Sequence, residues 1–145
     1  MAVATVKVQL DFKLISSKTD SLGCYIFLEA EIKDSSFVLL NSYAPNKCAE
    51  QCVFFSNWTK DVKDFVTDAD KYIIVGGDFN VIFDQDLDGR GGNKKRKDSV
   101  QCVEDFIIKY DLLDIWRTRN TTDTRFTWHQ KFTANTKTPR LLVNK

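Results

Sequence analysis

Polar and apolar positions alternate over Val6 to Leu14, whereas Cys24 to Leu28 and Phe37 to Leu40 are unbroken apolar runs, and two later blocks take up a helical period. The change of period lays out the elements. Val6 to Ile15, Cys24 to Ile32 and Phe37 to Ser42 predict antiparallel strands, with Lys33-Asp34-Ser35-Ser36 as the turn between the last two. Between Gln51 and Val66, the residues Phe54, Phe55, Trp58, Val62, Phe65 and Val66 recur at helical spacing and form one apolar stripe fit to cover a sheet. Tyr72 to Val75 is a short β-branched and aromatic run, which predicts a buried strand. A polar loop follows, and then a helix from Ser99 with Val100, Val103, Phe106, Ile107 and Tyr110 on one face and Asp98 or Ser99 as its N-cap. Asp114-Ile115-Trp116-Arg117 closes a helical segment, and Arg125 to Trp128 reads as another short strand. Both stripes are core positions and leave no cofactor box.

Composition adds limits to this pattern. The 145 residues, 43% of them apolar and 12% aromatic, suffice for one core, so a single domain over residues 1–145 is expected. No apolar run approaches membrane-spanning length, and the first residues lack the basic start and unbroken apolar stretch of a secretory leader. A soluble protein with no membrane partner is therefore expected, intracellular in the cytoplasm or nucleus and not secreted. Cys24, Cys48, Cys52 and Cys102 have no C-x-x-C pairing and no histidines at zinc spacing, which predicts reduced, packed thiols.

Charge is balanced overall, at +1, but unevenly spread. Residues 1–116 carry 14 basic and 19 acidic side chains, a balance of −5, whereas residues 117–145 carry 7 basic and 1 acidic, a balance of +6. A second basic knot, Lys94-Lys95-Arg96-Lys97 with Arg90 ahead of it, lies in the polar loop. Basic loops flanking an acidic centre suit a phosphodiester, because Lys and Arg hold phosphates while carboxylates hold a metal. Asp84-Gln85-Asp86-Leu87-Asp88-Gly89 matches the first half of a calcium loop, but Lys95 fills the twelfth position, where a bidentate Glu would have to close the coordination. An acidic surface loop is the better reading.

The chemistry concentrates at Gly76-Gly77-Asp78-Phe79-Asn80, where an apolar strand delivers a carboxylate and a carboxamide two residues apart onto the turn at its end. Upstream, Phe37 to Asn46 is a strand that ends in Tyr43-Ala44-Pro45-Asn46. These two blocks, followed by Asp114-Ile115-Trp116-Arg117 and Phe126-Thr127-Trp128, resemble in order and kind the endonuclease/exonuclease/phosphatase family. Within it the chain is most similar to the endonuclease domain of non-LTR, LINE-type retrotransposons. The resemblance spans residues 23–140 or thereabouts.

The resemblance implies an α+β fold of the DNase I-like kind: a two-sheet β-sandwich flanked by helices in four αββα layers, incomplete in this chain. It implies an endonuclease-like, Mg2+-dependent hydrolase that cuts phosphodiester bonds in nucleic acid, DNA above all. Asp78 matches the aspartate that orients or deprotonates the attacking water, and Asn80 the carboxamide that steadies phosphate oxygens. Tyr43 matches the active-site tyrosine, Asn46 the residue that shapes the floor of the site, and Thr127 a groove-lining residue, while Arg90 adds a phosphate contact. The family pattern also holds a metal-ligating glutamate on an earlier strand, an aspartate where this chain has Leu142, and a closing Ser-Asp-His beyond Lys145. No metal ligand is therefore assigned here, and His129 does not take the histidine's place. Two functional expectations follow. One is an endonuclease-like phosphodiesterase fragment of retrotransposon origin. The other is an inactive remnant that binds nucleic acid or a protein partner, with a non-nucleic-acid phosphodiesterase of the same family as the runner-up enzyme. Strands lacking their sheet partners would also expose edges for self-association.

Overall fold

In the computed structural model, which describes residues 11–66, 70–84, 86–87, 97–124, 128–130, 133–137 and 140–144, the three segments expected as strands form a meander. These are β1 (Phe12–Thr19), β2 (Tyr25–Ile32) and β3 (Ser35–Tyr43), paired antiparallel as expected. The first runs on to Thr19, past the expected end at Ile15, and residues 1–10, with the start of the predicted Val6–Ile15 strand, lie outside the described residues. The β2–β3 turn is tighter than the sequence suggests. Lys33 and Asp34 both adopt positive φ, 48° and 63°, which matches the twist of a two-residue hairpin and lets Ser35 and Ser36 enter the strand.

The chain then crosses over through α1 (Cys48–Val62) to β4 (Tyr72–Asp78), which lies parallel to β3. The second half supplies α2 (Lys97–Lys109), β5 (Leu112–Asp114), α3 (Ile115–Arg119), β6 (Trp128–Gln130), β7 (Thr133–Lys137) and β8 (Arg140–Asn144). One six-stranded sheet runs in the order β1-β2-β3-β4-β8-β5, and β6 and β7 pair apart from it. No helix among the described residues is long and apolar enough to cross a membrane.

Three boundaries differ from expectation for local reasons. α1 starts at Cys48, with extended Lys47 ahead of it, and ends at Val62, so Phe65 and Val66 pack from the turn that follows. α2 starts at Lys97, so Ser99 is no cap: it is buried inside the helix with its hydroxyl 3.0 Å from Cys48 Sγ. Asp114 opens a helix where the sequence suggested an end, since its side chain accepts a hydrogen bond from the Arg117 N–H at 2.9 Å and caps α3. Of the strand expected over Arg125–Trp128, Trp128 begins β6 and residues 125–127 lie outside the described residues.

Both amphipathic helices lie against one face of the sheet. Trp58, Phe55 and Phe54 of α1 and Phe106 and Val103 of α2 pack with Val38, Leu40, Ile73, Val75 and Leu142. Trp58 is fully buried, its ring meeting those of Phe55, Phe79 and Phe106 at 5.1, 5.3 and 5.4 Å. Leu142, opposite Val75 in the sheet, is as deeply buried, so this position serves the core. On the other face, one register row crosses five strands through Leu28, Leu39, Ile74, Val143 and Leu113. Leu28 is buried there and the other four remain half-buried.

Candidate active site at the ends of two parallel strands

Because β3 and β4 run parallel, both finish at one end of the sheet, and their register sets Tyr43 opposite Asp78. Each is the last residue of its strand and each is exposed, so a phenol and a carboxylate face solvent side by side. Loops beyond parallel strand ends are where a chain can gather reactive side chains without disturbing a core. The Ala44 N–H donates to the Asp78 C=O at 2.8 Å, which carries the pairing one step past Tyr43. The Asn80 N–H donates to Asp78 Oδ1 at 3.0 Å and so fixes the carboxylate from below.

Gly77 makes this approach possible. Its φ is +139°, and a Cβ added there would stand 1.9 Å from the Ser42 carbonyl oxygen, so no other residue fits. Asn80 is left-handed at φ 53°, turned inward and 2% exposed, and its carboxamide Nδ2 donates to the Ala44 C=O. The resemblance implies contact between Asn80 and phosphate; the structure places its amide group beneath the exposed pair, holding the Tyr43 loop. Asn46 is exposed where the crossover begins. Thr127 and Arg90 lie outside the described residues, as do Lys94 to Arg96; Lys97 starts α2.

Sequence reasoning missed Gln51. Its Nε2 donates to the Pro45 C=O at 2.8 Å and to the Asn80 C=O at 3.0 Å, and the side chain is fully buried. A signal was present, because Gln51 stands three, four and seven residues before Phe54, Phe55 and Trp58, on the apolar stripe itself.

A charged cluster lies on β1, β2 and the end of α1. The Tyr25 hydroxyl donates to Asp61 Oδ2 at 2.6 Å, and Lys18 Nζ lies 3.0 Å from both Asp61 and Asp64. Burial would raise the Asp61 carboxyl, but the bonds from Tyr25 and Lys18 outweigh it and hold the carboxyl below its ordinary range. Burial and the Asp61 bond push the Tyr25 phenol up. Lys71 meets Glu29 at 2.7 Å and keeps that carboxyl low as well. All four cysteines are free, and burial, with a hydrogen bond to Cys52, pushes the Cys102 thiol up to about 11. That is a packed, unreactive thiol.

Among the described residues no three His, Cys, Asp or Glu side chains converge to hold a metal ion. At the strand ends Asp78 already accepts the Asn80 N–H. The donor set described there does not by itself fit a magnesium ion, which asks for near-octahedral oxygen ligation.

No family model matches the sequence. Over 118 residues the chain is 30% identical to an uncharacterized 149 kDa protein of transposon TX1 from Xenopus laevis, a match over 80% of this chain and 9% of that protein. Its fold is similar to that of the APE2 catalytic domain of Xenopus laevis, with a TM-score of 0.66 at 14% identity over 85% of this chain and 46% of the other. An AP endonuclease from Archaeoglobus fulgidus gives 0.64 at 14% identity, over 81% and 52%. TDP2 of D. rerio, complexed with single-strand DNA product, gives 0.61 at 13% identity, over 92% and 54%. The chain thus spans about half the length of these solved structures and a small part of the transposon protein.

Proposed function

This chain carries a part of the DNase I-like fold of the endonuclease/exonuclease/phosphatase family and a sequence related to that of a transposon protein, and from that premise we propose that its β3–β4 strand ends face the phosphodiester backbone of nucleic acid, DNA above all. The observation that carries this reading is the parallel register of Tyr43 with Asp78, which sets a proton acceptor beside a hydroxyl donor at an exposed edge. In an in-line attack at phosphorus, the Asp78 carboxylate orients a water molecule and takes its proton as the water oxygen bonds to phosphorus, the Tyr43 phenol donates to a non-bridging oxygen, and the bridging P–O bond opposite breaks, its alkoxide taking a proton from solvent. The solved relatives that include an AP endonuclease and a DNA-product complex support a nucleic-acid substrate, and the basic residues after position 116 support a polyanionic partner.

Magnesium, which the sequence resemblance implies, does not fit the described donor set, and no step is assigned to it. A second reading has the chain bind nucleic acid without cutting it, and it is favoured by Leu142, which is buried in the core where the resemblance places an aspartate. Removing even one donor that stabilises the transition state costs roughly a hundredfold to a thousandfold in rate. Incubating purified protein with supercoiled plasmid and magnesium tests this directly. The expected result is binding without appreciable nicking, and robust nicking that vanishes in Asp78→Ala would restore a complete enzyme. An intracellular place of action belongs to the same proposal.

A further inference from the structure

Gln51 is uncharged, polar and fully buried, on the face of α1 that also carries Phe54, Phe55 and Trp58. Burying a carboxamide is costly unless its hydrogens are spent, and both are spent on backbone carbonyls of two different loops. The placement is symmetrical. Pro45 lies two residues beyond Tyr43, and Asn80 lies two residues beyond Asp78. Oε1 of Gln51 has no partner among the described residues, so the side chain's hydrogen bonds there all come from its two N–H donors.

We propose that Gln51 is a positioning residue for the candidate site, its carboxamide fixing the separation of the loops that present Tyr43 and Asp78. The proposal rests on the nucleic-acid reading of that site. Two further bonds cross between the same loops: Asn80 Nδ2 to the Ala44 C=O, and the Ala44 N–H to the Asp78 C=O. Both sit next to the reactive side chains, whereas the Gln51 bonds approach from the helix and tie the two loops to a rigid element. Losing them frees the Pro45 and Asn80 carbonyls together, so Tyr43 and Asp78 drift apart as a pair while each loop keeps its own turn. The effect belongs to the site and spares the distant β1–β2 pairing.

The test uses amide NMR of the full chain with a labelled DNA oligonucleotide. Gln51→Met keeps the side-chain length and removes both donors. It is expected to shift the Ala44, Asp78 and Asn80 signals, to leave those of β1 and β2 in place, and to weaken oligonucleotide binding about tenfold. Gln51→Glu matches it at alkaline pH, where the buried side chain is driven to a carboxylate with no hydrogen to give, and regains the Ala44 and Asn80 signals as acid is added and burial favours the protonated form, when one donor returns. A role limited to filling space predicts no such recovery. Wild-type signals at Ala44 and Asn80 in Gln51→Met, or shifted signals with unchanged affinity, overturn the proposal. Should that variant not fold, a Gln51→Glu chain whose loop signals do not respond to acid overturns it instead. A wild-type chain whose Tyr43 and Asp78 signals ignore the oligonucleotide overturns the reading of the site itself, whatever the Gln51 variants do to the loops.

Discussion

At the scale of single residues, backbone geometry leaves the least room at Gly77. A methyl group there meets the Ser42 carbonyl at 1.9 Å in a conformation that L side chains avoid, so either the β3–β4 register or the Asp78 turn has to yield. Gly77→Ala should cost about 3 kcal/mol or more, read as a lowered urea midpoint. Acid should act through Asp61 and Glu29. Both carboxyls are held below their ordinary range in the folded chain, so the stability they contribute is present above roughly pH 4 and is lost as pH falls through the lower folded values. Asp61→Asn with Glu29→Gln should flatten the acid limb of stability against pH and leave its slope near neutrality unchanged. The position of Tyr43 and Asp78 at strand ends was legible in the sequence, because each follows an apolar run by three residues, a pattern that puts polar groups at a strand's exit. The inward turn of Asn80 was not, since a left-handed residue and a neighbouring carbonyl decide it, and neither is written in local spacing.

Among elements, the helical stripes were legible because they are long and strongly periodic, and their residues do form the core. Their ends were not. The start of α1 has no side-chain cap to mark it, and Ser99 resembles a cap only until Cys48 occupies its hydroxyl. Trp58 joins α1, α2 and the Asp78 turn through Phe79, so Trp58→Ala should cost about 3–5 kcal/mol in chemical denaturation. At α3, Asp114→Ala removes the cap and should cost about 1 kcal/mol, with raised amide exchange confined to residues 115–119. The parallel partnership of β3 and β4 follows from α1, which is long enough to return the chain to the same edge.

For the whole molecule, the half-buried row Leu39, Ile74, Val143 and Leu113 is the feature that sequence alone could not place, because it depends on which strands are neighbours. An apolar face of that kind favours association, so light scattering after size exclusion should show self-association that grows with concentration. A monodisperse monomer would mean that the face is covered. The central claim, that the Tyr43–Asp78 end meets nucleic acid, is tested most directly by titrating labelled duplex DNA at low and at physiological salt with wild-type protein, Tyr43→Ala and a variant in which residues 94–97 are alanine. Weak, sequence-indifferent binding that falls steeply with salt is expected, with a loss of affinity in Tyr43→Ala and a salt slope reduced by roughly three to four in the alanine variant. Absence of binding at low salt, or binding that neither variant changes, would contradict that claim.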